Sequence, residues 1–297
     1  MRTLQAHAAT EITALCDIRA EEVRQHAVDL GIEHAFTDAG EMIDAGVVDA
    51  VVVGTPMPFH ASQAIRALES DIHVLSEVTA GVSVEECRDL VKAVRRSKGV
   101  YMMAENFTYM KSNVLVRELV RRGFFGDIYY AEGAYIHELK ELNEVTRWRR
   151  HWQTGINGCT YPTHSLGPVL TWFEGQRVVA VNAVGTGHHY RDPRENLYEM
   201  EDSVTMMCRL SGGGLAQIRV DMLSDRPHHM THYALQGTDG SYESADGFEA
   251  PAKIWLRSRN AEQRWEHLDK LEEFLPEYWR NPPEDALKAG HGGGGYW

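Results

Sequence analysis

The sequence predicts an α/β protein: a doubly wound, Rossmann-type parallel sheet lacking its first strand, followed by a C-terminal α+β domain with a mostly antiparallel sheet. Three observations carry that reading. Short apolar runs alternate with amphipathic stretches as far as Asn106, the pattern of strands joined by crossover helices. From Lys111 onward, longer runs are separated by glycine turns such as "SGGG" and "TDG", the pattern of hairpins. The first run, Ile12 to Cys16, is closed by Asp17, where a dinucleotide fold meets the ribose hydroxyls. The expected domains are residues 1–110, a truncated dinucleotide-binding domain, and residues 111–297, a substrate and oligomerisation domain with an incomplete C-terminal end.

Each element has its own signal. After Asp17, the amphipathic stretch Ala20 to Leu30 makes a helix that Gly31 stops. A short strand near "HAFTD" and a helix through "AGEMIDAG" follow. "VDAVVVGTP" (Val48 to Pro56) is a continuous apolar run ending in turn residues, as expected of a parallel strand buried on both faces. The helix "PFHASQAIRALES", the strand "HVLSE", the helix "SVEECRDLVKAVRRSKG" and the strand "VYMMAEN" (Val100 to Asn106) complete the first half. In the second half the helix "SNVLVRELVRRGFFG" leads into the alternating strand "DIYYAEGAYIHEL". "RVVAVNAVGTG", "SVTMMCRLSGGGLAQIRVDML" and "HYALQGTDGSYES" then read as further strands. The dinucleotide fingerprint places a glycine turn about 20 residues before the ribose acid. Only "MRTLQAHAAT" precedes the first run here, and it contains no glycine.

Charge and cysteine usage narrow the function classes. With 30 Lys and Arg against 43 Asp and Glu, the net charge of −13 disfavours nucleic acid and anionic membranes, both of which reward clustered cations. The local patch "RWRRHW" (Arg147 to Trp152) reads as a surface helix or a substrate-facing loop. Cys16, Cys87, Cys159 and Cys208 are scattered, with no CxxC, so no disulfide framework is expected and a cytoplasmic setting fits. No apolar run approaches the roughly 18 residues of a membrane helix.

Ligands of a doubly wound sheet bind beyond the carboxyl ends of its strands. The residues there are Asp17, then Thr55, Pro56 and His60, then Glu77, then Asn106. The blander alternative makes Asp17 a helix cap and Thr55–Pro56 a turn. A second constellation is "GCTYPTHSLGPVLTWF" (Gly158 to Phe173). Tyr161 and His164 are three apart and share a face if the helix has already begun, and Pro162 suits a first helical turn. A phenol beside an imidazole can handle the proton of a substrate hydroxyl; a hydrogen-bonded buried pair is the alternative. Neither "RPHHMTH" nor "GHHY" reads as a metal site, because adjacent histidines on a strand point to opposite faces.

"VVVGTPMPFH", "HVLSEVTAGVSVEECRDLV", "ENFTYM" and "GCTYPTHSLGP" resemble the glucose–fructose oxidoreductase / inositol dehydrogenase (Gfo/Idh/MocA) family, through nearly the whole chain. Within it, "SEVTAGV", "AENFTYM", "YPTHSLGP" and "DRPHHMTHYALQGTDG" look most like the branch of NAD-dependent glycosidases that includes α-N-acetylgalactosaminidases. The resemblance implies that the sequence joins the family inside the first helix, so it is expected to be a fragment of a longer enzyme or to carry a wrong gene start. It implies NAD as cofactor, with Asp17 on the ribose and Arg19 keeping NADP open, and Thr55, Pro56, His60, Glu77, Val78 and Asn106 around the dinucleotide. It assigns catalysis to His164 and Tyr161, a carbohydrate pocket to Tyr109, His137, Trp148, Arg149 and His291, and a homo-oligomer to the C-terminal sheet. Two departures stand out. Family dehydrogenases carry Glu-Lys-Pro where this chain has Glu77-Val78-Thr79, and Thr160 replaces the common Asp four residues before the histidine. Three functions follow as expectations: an NAD(P)-dependent oxidoreductase transferring hydride from a sugar, a glycosidase using tightly bound NAD, or a non-catalytic remnant.

Overall fold

The computed structural model describes residues 4–5, 7–227, 229–245 and 250–282. The chain folds as two units, one running to Ala104 and the other starting at Glu105.

The first unit is built of βα repeats: β1 (Ala14–Cys16), α1 (Ala20–Leu30), β2 (His34–Phe36), α2 (Ala39–Asp44), β3 (Ala50–Val53), a 3-10 turn (Met57–Phe59), α3 (His60–Glu69), β4 (His73–Ser76), α4 (Val84–Arg96) and β5 (Tyr101–Met103). Its strands are all parallel, and among the described residues they form two sheets, β1–β2 and β3–β4–β5. Helix starts are capped as their sequences demand. Asp38 accepts from the Glu41 N–H at 2.9 Å, and Ser83 accepts from the Glu86 N–H at 3.1 Å while Glu86 reaches back to the Val82 N–H. Val51, Val53, Leu68, Val74 and Leu90 form the core. The expectation that the Val48–Pro56 run is buried on both faces does not hold: Val52 is 56% exposed while Val51 and Val53 are buried. Among the described residues, α3 packs on β3 and β4 and covers the face that carries Val51 and Val53.

The second unit runs from a 3-10 turn (Asn106–Tyr109) through α5 (Lys111–Arg121), β6 (Ile128–Ile136), α6 (Lys140–Glu144), α7 (Arg147–Trp152), α8 (Thr163–Trp172), β7 (Val178–Gly185), β8 (Ser203–Leu210), β9 (Leu215–Asp221), β10 (Met230–Gly237), β11 (Gly240–Glu243), β12 (Lys253–Leu256) and β13 (Glu266–His267) to α9 (Glu277–Arg280). One sheet holds the strands in the order β13-β12-β11-β10-β6-β9-β8-β7. Every pairing is antiparallel except β6 with β9, which is parallel. The "SGGG" and "TDG" turns do connect antiparallel neighbours, β8 to β9 and β10 to β11. Alternation along the strands sends Ala131, Ile218, Cys208 and Leu235 into a core with Val114, Leu119, Trp172 and Phe173 from the helices. Helix α8 lies directly on β6, and Gly133 makes this possible: a Cβ there would collide with the Ser165 carbonyl.

Candidate active site

In the first unit the strand ends hold the expected residues. Asp17 follows β1, and its carboxylate accepts from the Arg19 N–H at 2.9 Å and from the Arg19 guanidinium at 2.9 and 3.0 Å. Those guanidinium hydrogen bonds hold the Asp17 carboxyl below the usual aspartate range. An ionised carboxylate at a strand's carboxyl end fits the hydroxyls of a dinucleotide ribose. No glycine turn for the pyrophosphate lies among the described residues ahead of Asp17. Thr55 donates its hydroxyl to Gln63 Oε1 at 2.8 Å and Pro56 opens the 3-10 turn. Glu77 is exposed, Val78 is buried, and the Val78–Thr79 peptide is cis. His60 differs from expectation. It is 1% exposed, and its two ring nitrogens meet the carbonyls of Thr55 (2.6 Å) and Thr79 (2.7 Å), so both are spent on the chain and neither is free for a cofactor.

The second unit gathers a ring cluster around His164. Helix α8 begins at Thr163, so Tyr161 precedes it and does not share its face. The turn at Pro162 nevertheless brings the Tyr161 ring edge-on to the His164 ring, centroids 5.0 Å apart. Tyr135 lies 5.1 Å and Phe107 4.2 Å from the same imidazole by ring centroid. His164 is buried, and its Nδ1 stands 2.6 Å from Glu105 Oε1. Glu105, itself buried, also accepts from the Phe107 and Thr108 N–H groups and from the Thr108 hydroxyl at 2.5 Å. The carboxylate fits against α8 because residue 167 is glycine; a Cβ there would stand 2.5 Å from Glu105 Oε2. Backbone ties hold the helix start: Tyr233 donates its hydroxyl to the His164 carbonyl at 2.5 Å, and Ser165 to the Arg219 carbonyl at 2.8 Å.

A second pair sits at the end of β6. Tyr135 and His137 are two apart on one strand face, and the phenol oxygen meets His137 Nδ1 at 2.8 Å. Burial pushes the Tyr135 phenol well above its ordinary value. Glu105 and Tyr135 are the residues that sequence reasoning missed as catalytic candidates. Glu105 stands beside the expected Asn106, which is exposed.

Of the expected sugar contacts, only His137 belongs to this cluster. Trp148 and Arg149 lie on α7 with the guanidinium stacked 4.4 Å from the indole, and Tyr109 is 44% exposed; none makes a hydrogen bond or ring contact with it among the described residues. His291 lies outside the described residues. Behind the cluster, Arg150 hydrogen-bonds Asp192 at 3.1 Å and forms an ion pair with Glu144 at 3.2 Å, pinning the segment before β8 to α6 and α7. Among the described residues no group of three or more His, Cys, Asp or Glu could hold a metal ion.

A parallel βα unit with an acid at its first strand end is the arrangement of a Rossmann-type dinucleotide-binding fold, and an α+β unit carrying a buried His–Glu pair follows it. Residues 1–105 match the oxidoreductase family with an NAD-binding Rossmann fold, and residues 109–297 match the C-terminal domain of glycosyl hydrolase 109. The chain belongs to glycosyl hydrolase family 109, on the Gfo/Idh/MocA architecture. A family 109 protein of Saccharopolyspora erythraea is 31% identical over 96% of this chain and 67% of its own length. An alpha-N-acetylgalactosaminidase of Shewanella oneidensis is 29% identical over 95% of this chain and 68% of its own. Solved structures share the fold. A levoglucosan dehydrogenase with NADH and levoglucosan superposes with a TM-score of 0.70 at 20% identity, over 88% of this chain and 72% of that one. The WlbA dehydrogenase of Bordetella pertussis with NADH and UDP-GlcNAcA gives 0.71 at 21%, over 93% and 78%.

Proposed function

We propose that the chain acts on sugars through hydride transfer and that it uses this chemistry to hydrolyse a glycoside, N-acetylgalactosaminides being the first class to try. The observation that carries the reading is the presence of two separate proton-handling pairs in one ring cluster, Glu105–His164 and His137–Tyr135. A plain sugar dehydrogenase, the reading the sequence favoured, needs one base, for the hydroxyl proton. Cleavage through a transient ketone needs a second, for the acidified C–H beside it.

Asp17 would hold the ribose of NAD, which when bound would supply removal and return of hydride at a ring carbon. With Nδ1–H donating to Glu105, His164 presents a lone pair at Nε2 and takes the hydroxyl proton. Of the two phenols Tyr135 is the better placed as the second base, because it can pass its own proton to His137 Nδ1 as its oxygen accepts the carbon proton; Tyr161 is the alternative. The aglycone leaves with its bonding electrons and takes up one proton, water adds its hydroxyl at the vacated carbon and replaces that proton, and return of hydride with the proton on His164 completes hydrolysis. Four free thiols support the cytoplasmic setting, and among the described residues no helix is long and apolar enough to cross a membrane. An exposed edge strand supports a homo-oligomer through the sheet: in β7, Val179, Val181 and Val184 are all open.

The test offers an aryl glycoside in deuterated water and follows NADH absorbance, released aglycone and deuterium at the carbon beside the ketone. Aglycone with label and no net NADH is expected. Accumulating NADH without label or aglycone identifies a plain dehydrogenase, and neither signal with NAD bound counts against both.

A further inference from the structure

We propose that His60 is a positioning residue: it ties the turn after β3 to the turn after β4, and so fixes the two strand ends over which the dinucleotide lies. The inference rests on the NAD-binding reading above but reaches a residue that touches no ligand. His60 opens α3, is 1% exposed, and holds two carbonyls at once, Thr55 O on Nε2 at 2.6 Å and Thr79 O on Nδ1 at 2.7 Å. Thr55 lies five residues before it and Thr79 nineteen after. One ring therefore bridges the ends of two neighbouring strands and the start of the helix between them.

The chemistry of the two partners sharpens the assignment. Carbonyl oxygens only accept, and a neutral imidazole carries one N–H, so a ring that serves both carbonyls donates from both nitrogens. Both distances lie at the short end for N–H···O. No carboxylate hydrogen-bonds the ring among the described residues; the two carbonyl dipoles face it. No other side chain of this size offers two N–H groups aimed in opposite directions. Glutamine has donors on one end only, so a His60→Gln chain keeps one tie and leaves the other carbonyl buried without a donor.

Ring nitrogen NMR of the full chain labelled at histidine, NAD titration and backbone amide exchange test this together. The wild-type ring is expected to show protons on both nitrogens of His60. His60→Gln is expected to weaken NAD by about tenfold, the worth of one to two ordinary hydrogen bonds, and to speed amide exchange in residues 54–57 and 77–81. Ala64→Gly, which loosens the same helix away from both carbonyls, is expected to leave NAD affinity unchanged. A single ring N–H at His60, or wild-type NAD affinity in His60→Gln, would overturn the proposal. If the wild type itself binds no NAD, the cofactor reading fails instead, and ring protonation with amide exchange still decides the clamp.

Discussion

Glu105 concentrates more of the site's geometry than any other single residue. One carboxylate caps a 3-10 turn through two N–H groups, takes the Thr108 hydroxyl, and orients an imidazole that is 59 residues away in sequence. Replacing it by glutamine keeps the volume and removes the charge that supports a developing imidazolium. Glu105→Gln is expected to lower kcat by about 10²-fold or more with KM little changed, inside the range general-base catalysis supplies, as steady-state kinetics on the aryl glycoside would show; an unchanged kcat would return the pair to a structural role. The tyrosines separate by the same assay. Tyr135→Phe is expected to spare oxidation and block deuterium uptake and aglycone release, whereas the same result from Tyr161→Phe alone would move the second base to Tyr161. Gly167→Ala tests the space behind the carboxylate. The added methyl would crowd Glu105 and cost about 1–3 kcal/mol, so a lower denaturation midpoint together with lost activity is expected, and a crystal structure of the variant would show the carboxylate displaced.

Helix α8 shows how an element carries chemistry it does not itself encode. "YPTHSLGP" signals a helix start, and His164 was readable there as a candidate. The contact of Tyr161 with His164 was also foreseen, but from helical spacing; it arises from the turn at Pro162, ahead of the helix. Glu105 was not legible, because a glutamate at a strand end reads as solvated until Gly167 and Phe107 close over it. Tyr135 was hidden for a different reason: in an alternating strand it is one apolar position among several, and only the fold sets it beside α8. The parallel strands were legible as apolar runs, whereas the short β12 and the two-residue edge strand β13 were not. The segment before β8 depends on Asp192. Burial works to raise that carboxyl, but the Asn196 N–H and the Arg150 guanidinium outweigh it and hold it down to about 2. A carboxyl that ionises more readily in the native state than in the unfolded chain stabilises fully above its ordinary value of 3.8 and loses that contribution as pH falls towards 2. Acid titration followed by near-ultraviolet circular dichroism is expected to show a loss of stability from about pH 4 downward that is shallower in Asp192→Asn; parallel curves for the two proteins would contradict it.

At the scale of the whole molecule, and on the proposed function, the first unit by itself offers a ribose acid and braced strand ends, and the second by itself offers two proton-handling pairs. Self-association belongs to this scale. Val181 is 57% exposed on an edge strand without Lys or Pro to blunt it. If the chain self-associates through this edge as proposed, light scattering is expected to show a smaller mass for Val181→Lys than for the wild type, with the thermal midpoint nearly unchanged; an identical mass distribution would count against an interface at β7. The parallel pairing of β6 with β9 has a consequence in time. Parallel neighbours cannot be joined by a hairpin, and everything from His137 to Gly214, including Tyr161, His164, α8 and the Asp192 ties, lies on the excursion between them. Closing so long a path is slow, because its entropy is lost before the pairing repays it. The rings that gather around His164 therefore belong among the last parts of the chain to meet during refolding, so recovered activity should lag behind recovered secondary structure.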